Sequence, residues 1–400
     1  MTKKSSYLLL LILLLGIFLR LYKFPETLNM GTDQGAAYIL ADRIINQGHI
    51  LLVGPFTSLW QVNLLPPIYY YIVTFLYFFL KSELLVPLAF SIIGTISIVL
   101  IYFLGKEMFD SQTGLISAFL YAISETMVWY GRDMWEPHLV PFFIILSLFV
   151  LMLAKRMRNI NYLYVSIILF LVSFLYFSSI LLLPIYYLFT TGIYKNIKPF
   201  SKFPYIKTII FFLIGGVLIY FPVIIFEATR GFPSLIYLFA VLAGKSDYIS
   251  YQSFSFFTSF ASHVFLFFRS IFININYFKA QLIFIAFLLT ISYFLIVGKK
   301  NKENLLFLVF MFLTALILTG FYKEKPEVYR LASLYPIFFL MSGYIIKNTL
   351  SIKISKFKFV IPIQIIFVLT IIAFIRSGYF IFFLISPERS GYRLYIRFSA

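Results

Sequence analysis

Long apolar runs recur from residue 7 to residue 385, and they constrain the fold more than any other feature of the chain. A bilayer core needs about 20 apolar residues per helix. The runs are nearly continuous in Leu, Ile and Phe, unlike the alternating strands of a membrane barrel. The sequence therefore predicts a single all-α polytopic membrane domain over residues 1–400. The apolar segments are 7–22, 64–80, 84–104, 114–131, 137–153, 161–178, 180–194, 206–226, 279–297, 304–321, 329–346 and 359–385.

Composition excludes several other classes of protein. The chain is 62% hydrophobic and 12% charged, whereas soluble domains carry about 25% charged residues. Cysteine is absent, which removes disulfides, thiol nucleophiles and cysteine metal sites. The three histidines lie far apart in the sequence. The net charge of +18 comes from basic residues scattered in short loops, so we expect no nucleic-acid partner.

The basic residues predict how the chain crosses the membrane. If all the apolar segments crossed from a cytoplasmic N-terminus, four Lys-rich loops would lie outside, against the positive-inside rule. They all lie inside if segment 64–80, which begins at Pro66 and Pro67 and continues with three tyrosines, enters the membrane without crossing it. We therefore expect eleven spanning helices and an outer C-terminus. This topology predicts two long outer loops. Loop 23–83 would contain interfacial helices, and loop 227–278 has an aromatic, amphipathic sequence suited to the membrane surface.

The first outer loop contains "LNMGTDQGAAYILADRIINQGH", in which a chain poor in charge places Asp33. One interpretation is structural: Thr32 or Asp33 caps the following helix, and Gly35 eases the turn. The other is functional: Asp33 is a general base that faces a cavity on the outer side. The sequence alone leaves both open.

The next outer loop, "WYGRDMWEPHLVPFF", concentrates three charged side chains. Arg132 and Glu136 are four residues apart, so they could pair on a helical turn. Asp133 and Glu136 are three apart, so both carboxylates could hold a divalent cation. The alternative is a solvated turn before Pro137, which begins the next helix.

Two further charged residues lie near the ends of predicted helices. Glu125 falls inside segment 114–131, where a carboxylate usually faces a water-filled cavity or a basic partner. Arg330 lies in "YKEKPEVYRLASLYP", on the outer side at the start of a membrane helix. Its guanidinium could bind a phosphate through two parallel hydrogen bonds. Snorkelling to the interface is the alternative, and it suits Lys323 and Lys325 better than Arg330.

In their order and sidedness these motifs resemble the GT-C superfamily of membrane glycosyltransferases, specifically the bacterial family 39-like enzymes. Relatives include the protein O-mannosyltransferases and the lipid A aminoarabinose transferases. The resemblance is best over the first ~150 residues. The matching stretches are "FLRLYKFPE", "TDQG" with Asp33, Gln34 and Gly35, "PPIYYY" with Pro66 and Pro67, "YFLGKEMFDSQTGLISAFLYAIS" and "GRDMWEPHLVPFF".

The chain departs from that family's pattern at several positions. Gln34 stands where many relatives have Glu, and Ala36 where an Arg often follows the Asp. Leu65 replaces the Lys that precedes the paired prolines in the aminoarabinose transferases, and Glu125 replaces a common Pro. Two phosphate contacts of relatives are therefore missing, and the donor's binding mode is open.

The resemblance implies an inverting glycosyltransferase on the outer face of a prokaryotic cytoplasmic membrane. Its donor would be a polyprenyl-phosphate sugar, and its acceptor a lipid, a glycan or a protein. Asp33 would be the base, Arg330 and Arg132 would bind the donor phosphate, and the only cofactor considered is a divalent cation.

Two rival functions remain. A transporter or flippase of lipid-linked sugars predicts internal repeats, and the sequence shows none. Under the predicted topology most acidic residues lie on the outer side: Asp33, Asp42, Asp133, Glu136, Glu227, Asp247, Glu324 and Glu327. A scaffold subunit without enzymatic activity would leave this distribution unexplained.

Overall fold

A computed structural model of the chain describes residues 3–28, 30–55, 65–236, 255–272, 275–297, 301–321 and 327–350. These residues form helices joined by turns, and no β-strand occurs among them, which confirms the predicted all-α class. The helices are α1 Lys3–Leu21, α2 Thr32–Gln47, α3 Ile68–Leu80, α4 Leu85–Met108, α5 Ser111–Ile123, α6 Glu125–Arg132, α7 Glu136–Met157, α8 Ile160–Val172, α9 Leu183–Ile197, α10 Pro204–Ala228, α11 Phe256–Ile271, α12 Tyr277–Val297, α13 Lys302–Thr319 and α14 Leu334–Leu350.

Helix length identifies the helices that can cross a membrane unaided. Within the described ranges, seven helical segments are long and apolar enough to cross a membrane. Helix α3 has only 13 residues, about 20 Å at 1.5 Å per residue, which is less than the ~30 Å hydrocarbon core. Helices α5 and α8 also have 13 residues, although both lie in segments predicted to cross, so the expectation that segment 64–80 does not cross stays a prediction. The total of eleven spans stays a prediction, because segment 359–385 lies outside the described residues.

Ion pairs gather the loops predicted to be cytoplasmic at one end of the bundle. Each pair joins loops that are distant in sequence: Arg156 with Glu107 at 2.6 Å, Lys155 with Glu303 at 3.6 Å, and Lys347 with Asp110 at 3.2 Å. Such partly exposed pairs add little stability. They show instead that the loops after α4 and α7, the loop before α13 and the end of α14 lie at the same end of the bundle.

Segment 114–131, predicted as one helix, is broken in two at Ser124. The backbone of Ser124 is extended, with φ −62° and ψ 123°, so α5 ends before it and α6 begins after it. The fully buried guanidinium of Arg20 donates hydrogen bonds to the carbonyls of Ala122 at 3.2 Å and Met127 at 3.3 Å. Carbonyl groups freed by a break in apolar surroundings need such a partner. Arg20 therefore stabilises the break from the end of α1.

Replacing Arg20 with Met is expected to lower the free energy of unfolding by at least about 2 kcal/mol, because buried carbonyls lose charged donors. The measurement is a thermal or denaturant melt in detergent micelles. Arg43→Met is the matched control, since Arg43 is exposed on α2. Equal stability of both variants would contradict a stabilising role for Arg20.

Two other predicted segments differ from the structure. Arg330 was expected inside a helix over 329–346, but it lies in a 3-10 turn, Val328–Leu331, that precedes α14. The end of the loop 227–278 was expected on the membrane surface, yet α11 buries Phe267, Phe268 and its other inward-facing side chains in the bundle. Residues 237–254 of that loop lie outside the described ranges.

The predicted topology can be tested by chemical labelling, because the chain has no cysteine. Cysteines placed at Asn159 and Asn301 are expected to react with an impermeant reagent only after the cells are permeabilised, since both flank Lys-rich loops. A cysteine at His49, which is exposed after α2, is the outer control and should react on intact cells. Strong labelling of positions 159 and 301 from outside would show that the assignment is inverted.

Candidate active site

Helix α2 presents Asp33 to solvent in its first turn. The residue before the helix is Gly31, whose N–H donates to Oε1 of Gln34 at 3.0 Å. Asp33 is exposed and is the second residue of α2. The interpretation of Thr32 or Asp33 as the N-cap is therefore wrong, because the chain enters the helix one residue earlier. Gly35 lies inside α2 rather than in a turn.

Gln34 fixes the start of α2 to the turn between α6 and α7. Its side-chain Nε2 donates to Oδ1 of Asp133 at 2.8 Å, and both side chains are buried. The ring nitrogen Nδ1 of His138 lies 3.1 Å from the Asp133 carbonyl oxygen and 3.6 Å from its Oδ2. The side-chain amide of Gln34 therefore accepts a hydrogen bond from Gly31 through its oxygen and donates one to Asp133 through its nitrogen. These two bonds fix the orientation of the amide.

Three of the residues predicted to belong to the site, Gln34, Asp133 and Glu136, lie close to Asp33. Glu136 is buried at the start of α7, close enough to Asp33 and Asp133 for their charges to interact. The Tyr69 hydroxyl of α3 donates to the Met134 carbonyl at 3.1 Å. Burial raises the pKa of the Tyr70 hydroxyl above its usual value, and the charges of Glu136 and Asp33 raise it further. Helix α3 therefore lies next to this acidic group.

Arg132 is engaged with the end of α1 rather than with Glu136. Its Nη1 donates to the carbonyls of Leu19 and Tyr22, each at 3.0 Å, and its Nη2 donates to that of Lys23 at 3.2 Å. Burial lowers the pKa of Arg132 to about 10, so it stays charged at neutral pH. The expected pairing along a helical turn does not form, because α6 ends at Arg132 and Asp133 is extended. A cation at a helix C-terminus stabilises it, and these contacts favour that role over phosphate binding.

The turn that carries Arg330 reaches the same region through aromatic contacts. Arg330 is 5% exposed, and the neighbouring ring of Tyr329 packs edge-on against Trp135, with centroids 4.8 Å apart. Ser333, at the end of the turn, donates its hydroxyl to the Ser178 carbonyl at 2.8 Å. The Arg330 turn is therefore attached to the acidic turn through Trp135, which lies between Asp133 and Glu136.

The remaining predicted residues are placed as follows. Glu125 is half-buried and begins α6 rather than lying within a long helix. Pro67 directly precedes α3, and the residue before the pair, Leu65, accepts a hydrogen bond from the Gly54 N–H at 2.7 Å. Across the described parts of the chain, no three His, Asp or Glu side chains are arranged to hold a metal ion. The divalent cation stays a prediction.

Sequence reasoning did not find Arg20, Tyr69, Tyr70, Trp135 or His138 as parts of this region. The only sequence signal for His138 was its place in "WEPH", two residues after Glu136. Its contact with Asp133 depends on the extended backbone between α6 and α7, which no helical spacing predicts.

Residues 65–226 match the dolichyl-phosphate-mannose-protein mannosyltransferase family. ArnT from Cupriavidus metallidurans bound to undecaprenyl phosphate is similar in structure, with a TM-score of 0.58 and 12% sequence identity, over 87% of this chain and 61% of ArnT. The oligosaccharyltransferase of Archaeoglobus fulgidus in its apo form gives a TM-score of 0.53 and 15% identity, over 94% of this chain and 56% of that protein.

The chain therefore spans about three fifths of the length of these solved structures. No curated protein sequence matches it. The family match begins at Leu65 and ends at Phe226, so it includes α3 and the turn between α6 and α7 but not Asp33. The chain therefore shares its fold with ArnT and the archaeal oligosaccharyltransferase, and part of it, residues 65–226, matches the mannosyltransferase family.

Proposed function

We propose that the protein transfers a sugar from a polyprenyl-phosphate donor to an acceptor hydroxyl on the outer face of the membrane. The single observation that carries this proposal is the meeting of three loops: the exposed Asp33 of the first outer loop, the buried Asp133–His138 turn, and the Arg330 turn attached through Trp135. The solved ArnT structure contains undecaprenyl phosphate, and the archaeal oligosaccharyltransferase AglB has been solved with a dolichol phosphate. A lipid-linked donor suits a site of this fold.

In the proposed reaction the Asp33 carboxylate takes the proton of the acceptor hydroxyl. The hydroxyl oxygen attacks the anomeric carbon as the bond from that carbon to the phosphate oxygen breaks. The polyprenyl phosphate leaves with the bonding electrons, and the Arg330 guanidinium stabilises its charge. A single displacement inverts the anomeric configuration, and no covalent enzyme intermediate forms.

The buried residues of the site have supporting roles in this proposal. Gln34 and His138 hold Asp133, which fixes the distance between α2 and the start of α7. Arg132 holds the end of α1, and Arg20 holds the break between α5 and α6. Gln34, His138, Arg132 and Arg20 all make hydrogen bonds near the start of α2 and the turn between α6 and α7. Asp33 is therefore attached to a hydrogen-bonded part of the fold, although its own side chain is exposed.

Mass spectrometry of the lipids that co-purify with the protein tests the proposal. The expected finding is a polyprenyl phosphate bearing a hexose or a pentose, followed by transfer of that sugar to an acceptor in a reconstituted assay. Vesicles that move a lipid-linked sugar across the bilayer without breaking the sugar–phosphate bond would instead support the transporter. Failure of any polyprenyl phosphate to bind the purified protein would contradict both functions.

A further inference from the structure

We infer that Trp135 and Tyr329 form an aromatic surface that binds the ring of a sugar in the active site. This inference rests on the proposed function, and it adds a contact for the carbohydrate part of the donor. The evidence lies in the packing of the two rings, in the buried N–H of the indole, and in the position of the pair between the acidic turn and the Arg330 turn.

The two rings meet nearly at right angles, with an interplanar angle of 68° and centroids 4.8 Å apart. A third ring, that of Tyr176, packs edge-on against Tyr329 at 5.7 Å. Trp135 also contacts His138 edge-on at 5.4 Å. Edge-to-face contacts of this kind hold aromatic rings in fixed orientations. Trp135 and Tyr329 keep partial exposure, so the cluster retains an accessible aromatic surface beside the carboxylates.

Trp135 does not have the properties of a simple interfacial anchor. A tryptophan of a membrane-interface belt buries its ring and keeps its N–H in the wet headgroup region. The indole N–H of Trp135 is instead buried, and it has no hydrogen-bond acceptor among the described residues. Trp129 offers the contrast within the same segment, because 43% of its surface is exposed. A buried donor without an acceptor costs free energy, and a small rotation of the indole toward a bound sugar would bring the N–H to a ligand hydroxyl oxygen.

A sugar ring fits both features of this surface. One face of a pyranose or furanose presents polarised C–H groups, which are attracted to the electron-rich face of an aromatic ring. Its edge presents hydroxyl oxygens that can accept a hydrogen bond from the indole N–H. In the proposed reaction the transferred sugar lies between the base and the phosphate. Trp135 is adjacent in sequence to the acidic residue Glu136, and Tyr329 is adjacent to Arg330, so the pair lies at that position.

The test compares the binding of dolichyl phosphate with that of dolichyl phosphate linked to mannose, glucose, N-acetylglucosamine or a pentose. Wild-type protein is expected to bind at least one sugar-bearing lipid more tightly than the bare phosphate. Trp135→Leu is expected to reduce that gain by about threefold to tenfold and to leave binding of dolichyl phosphate unchanged. Trp135→Phe, which keeps a ring, should retain part of the gain. Trp129→Leu is the matched control and should keep all of it.

A second measurement does not depend on the folding of Trp135→Leu. The chain has three tryptophans, so replacing Trp60 and Trp129 with Phe leaves Trp135 as the sole indole. Its emission is expected to shift with the sugar-bearing lipid and not with dolichyl phosphate. The inference is overturned if no sugar-bearing lipid binds more tightly than the bare phosphate, or if the gain persists in Trp135→Leu. Failure of every lipid to bind the wild-type protein would count against the proposed function instead.

Discussion

Asp33→Asn is expected to reduce kcat by about 10²–10⁴-fold, the usual contribution of a general base. The amide has nearly the same shape as the carboxylate but cannot accept the acceptor's proton at neutral pH. Asp33 is exposed in the first turn of α2 and does not cap the helix, so the substitution removes little structure. Binding of the lipid-linked donor should therefore remain close to wild type, and the loss should appear in kcat. The measurement is sugar transfer at saturating donor in detergent micelles.

Asp42→Asn is the matched control for this experiment. Asp42 is also exposed on α2, where its carboxylate accepts a hydrogen bond from Asn46 at 2.6 Å. Its substitution is expected to leave turnover unchanged. A carboxylate near a helix N-terminus also stabilises the helix dipole modestly, so melts of both variants separate a loss of stability from a loss of catalysis. If Asp33→Asn turned over at the wild-type rate, the base would have to be sought at Asp133, Glu136 or Glu125.

Membrane thermodynamics explains which parts of the fold were predictable from the sequence. The apolar runs and the Lys-rich loops are present because placing polar and charged groups in the hydrocarbon core costs free energy. Those constraints act on each segment separately, so they appear in local sequence. They predicted an all-α membrane domain, which the structure confirms, and a segment, 64–80, that does not cross, which stays a prediction. The order and sidedness of the motifs in the first ~150 residues then predicted a GT-C-like fold.

The contacts that organise the site could not be predicted in the same way, because they join residues distant in sequence. Gln34 and Asp133 are 99 positions apart. The same Gln34 side chain accepts a hydrogen bond from the Gly31 N–H, and Gly31 rather than Thr32 or Asp33 is the N-cap of α2. The break at Ser124 depends on Arg20, which is 102 positions from the Ala122 carbonyl it binds. Local spacing predicted a continuous helix there, since nothing in residues 114–131 records the arginine that stabilises the break.

Arg330→Lys is expected to weaken binding of a polyprenyl phosphate by about tenfold or more, since a charge-assisted hydrogen bond contributes about 1.5–3 kcal/mol. Lysine keeps the positive charge but loses the planar fork that binds a phosphate through two parallel bonds. Arg330 is 5% exposed, and Ser333, which follows its turn, donates to the Ser178 carbonyl, so the backbone next to Arg330 is held in place before the donor arrives. The measurement is the affinity for undecaprenyl phosphate, the lipid bound by ArnT.

Two comparisons separate phosphate binding from a packing role for Arg330. Arg269→Lys is the control, because Arg269 is exposed at the end of α11 beside Phe265, and its substitution should leave the affinity unchanged. A packing role would instead lower the melting temperature of Arg330→Lys without changing affinity for the lipid in the protein that remains folded.

Phosphate binding has a further consequence, because removing the cation also removes the stabilisation of the leaving group. Arg330→Ala is therefore expected to lower kcat by about 10²–10³-fold even at saturating donor, and an unchanged kcat would exclude Arg330 from the reaction.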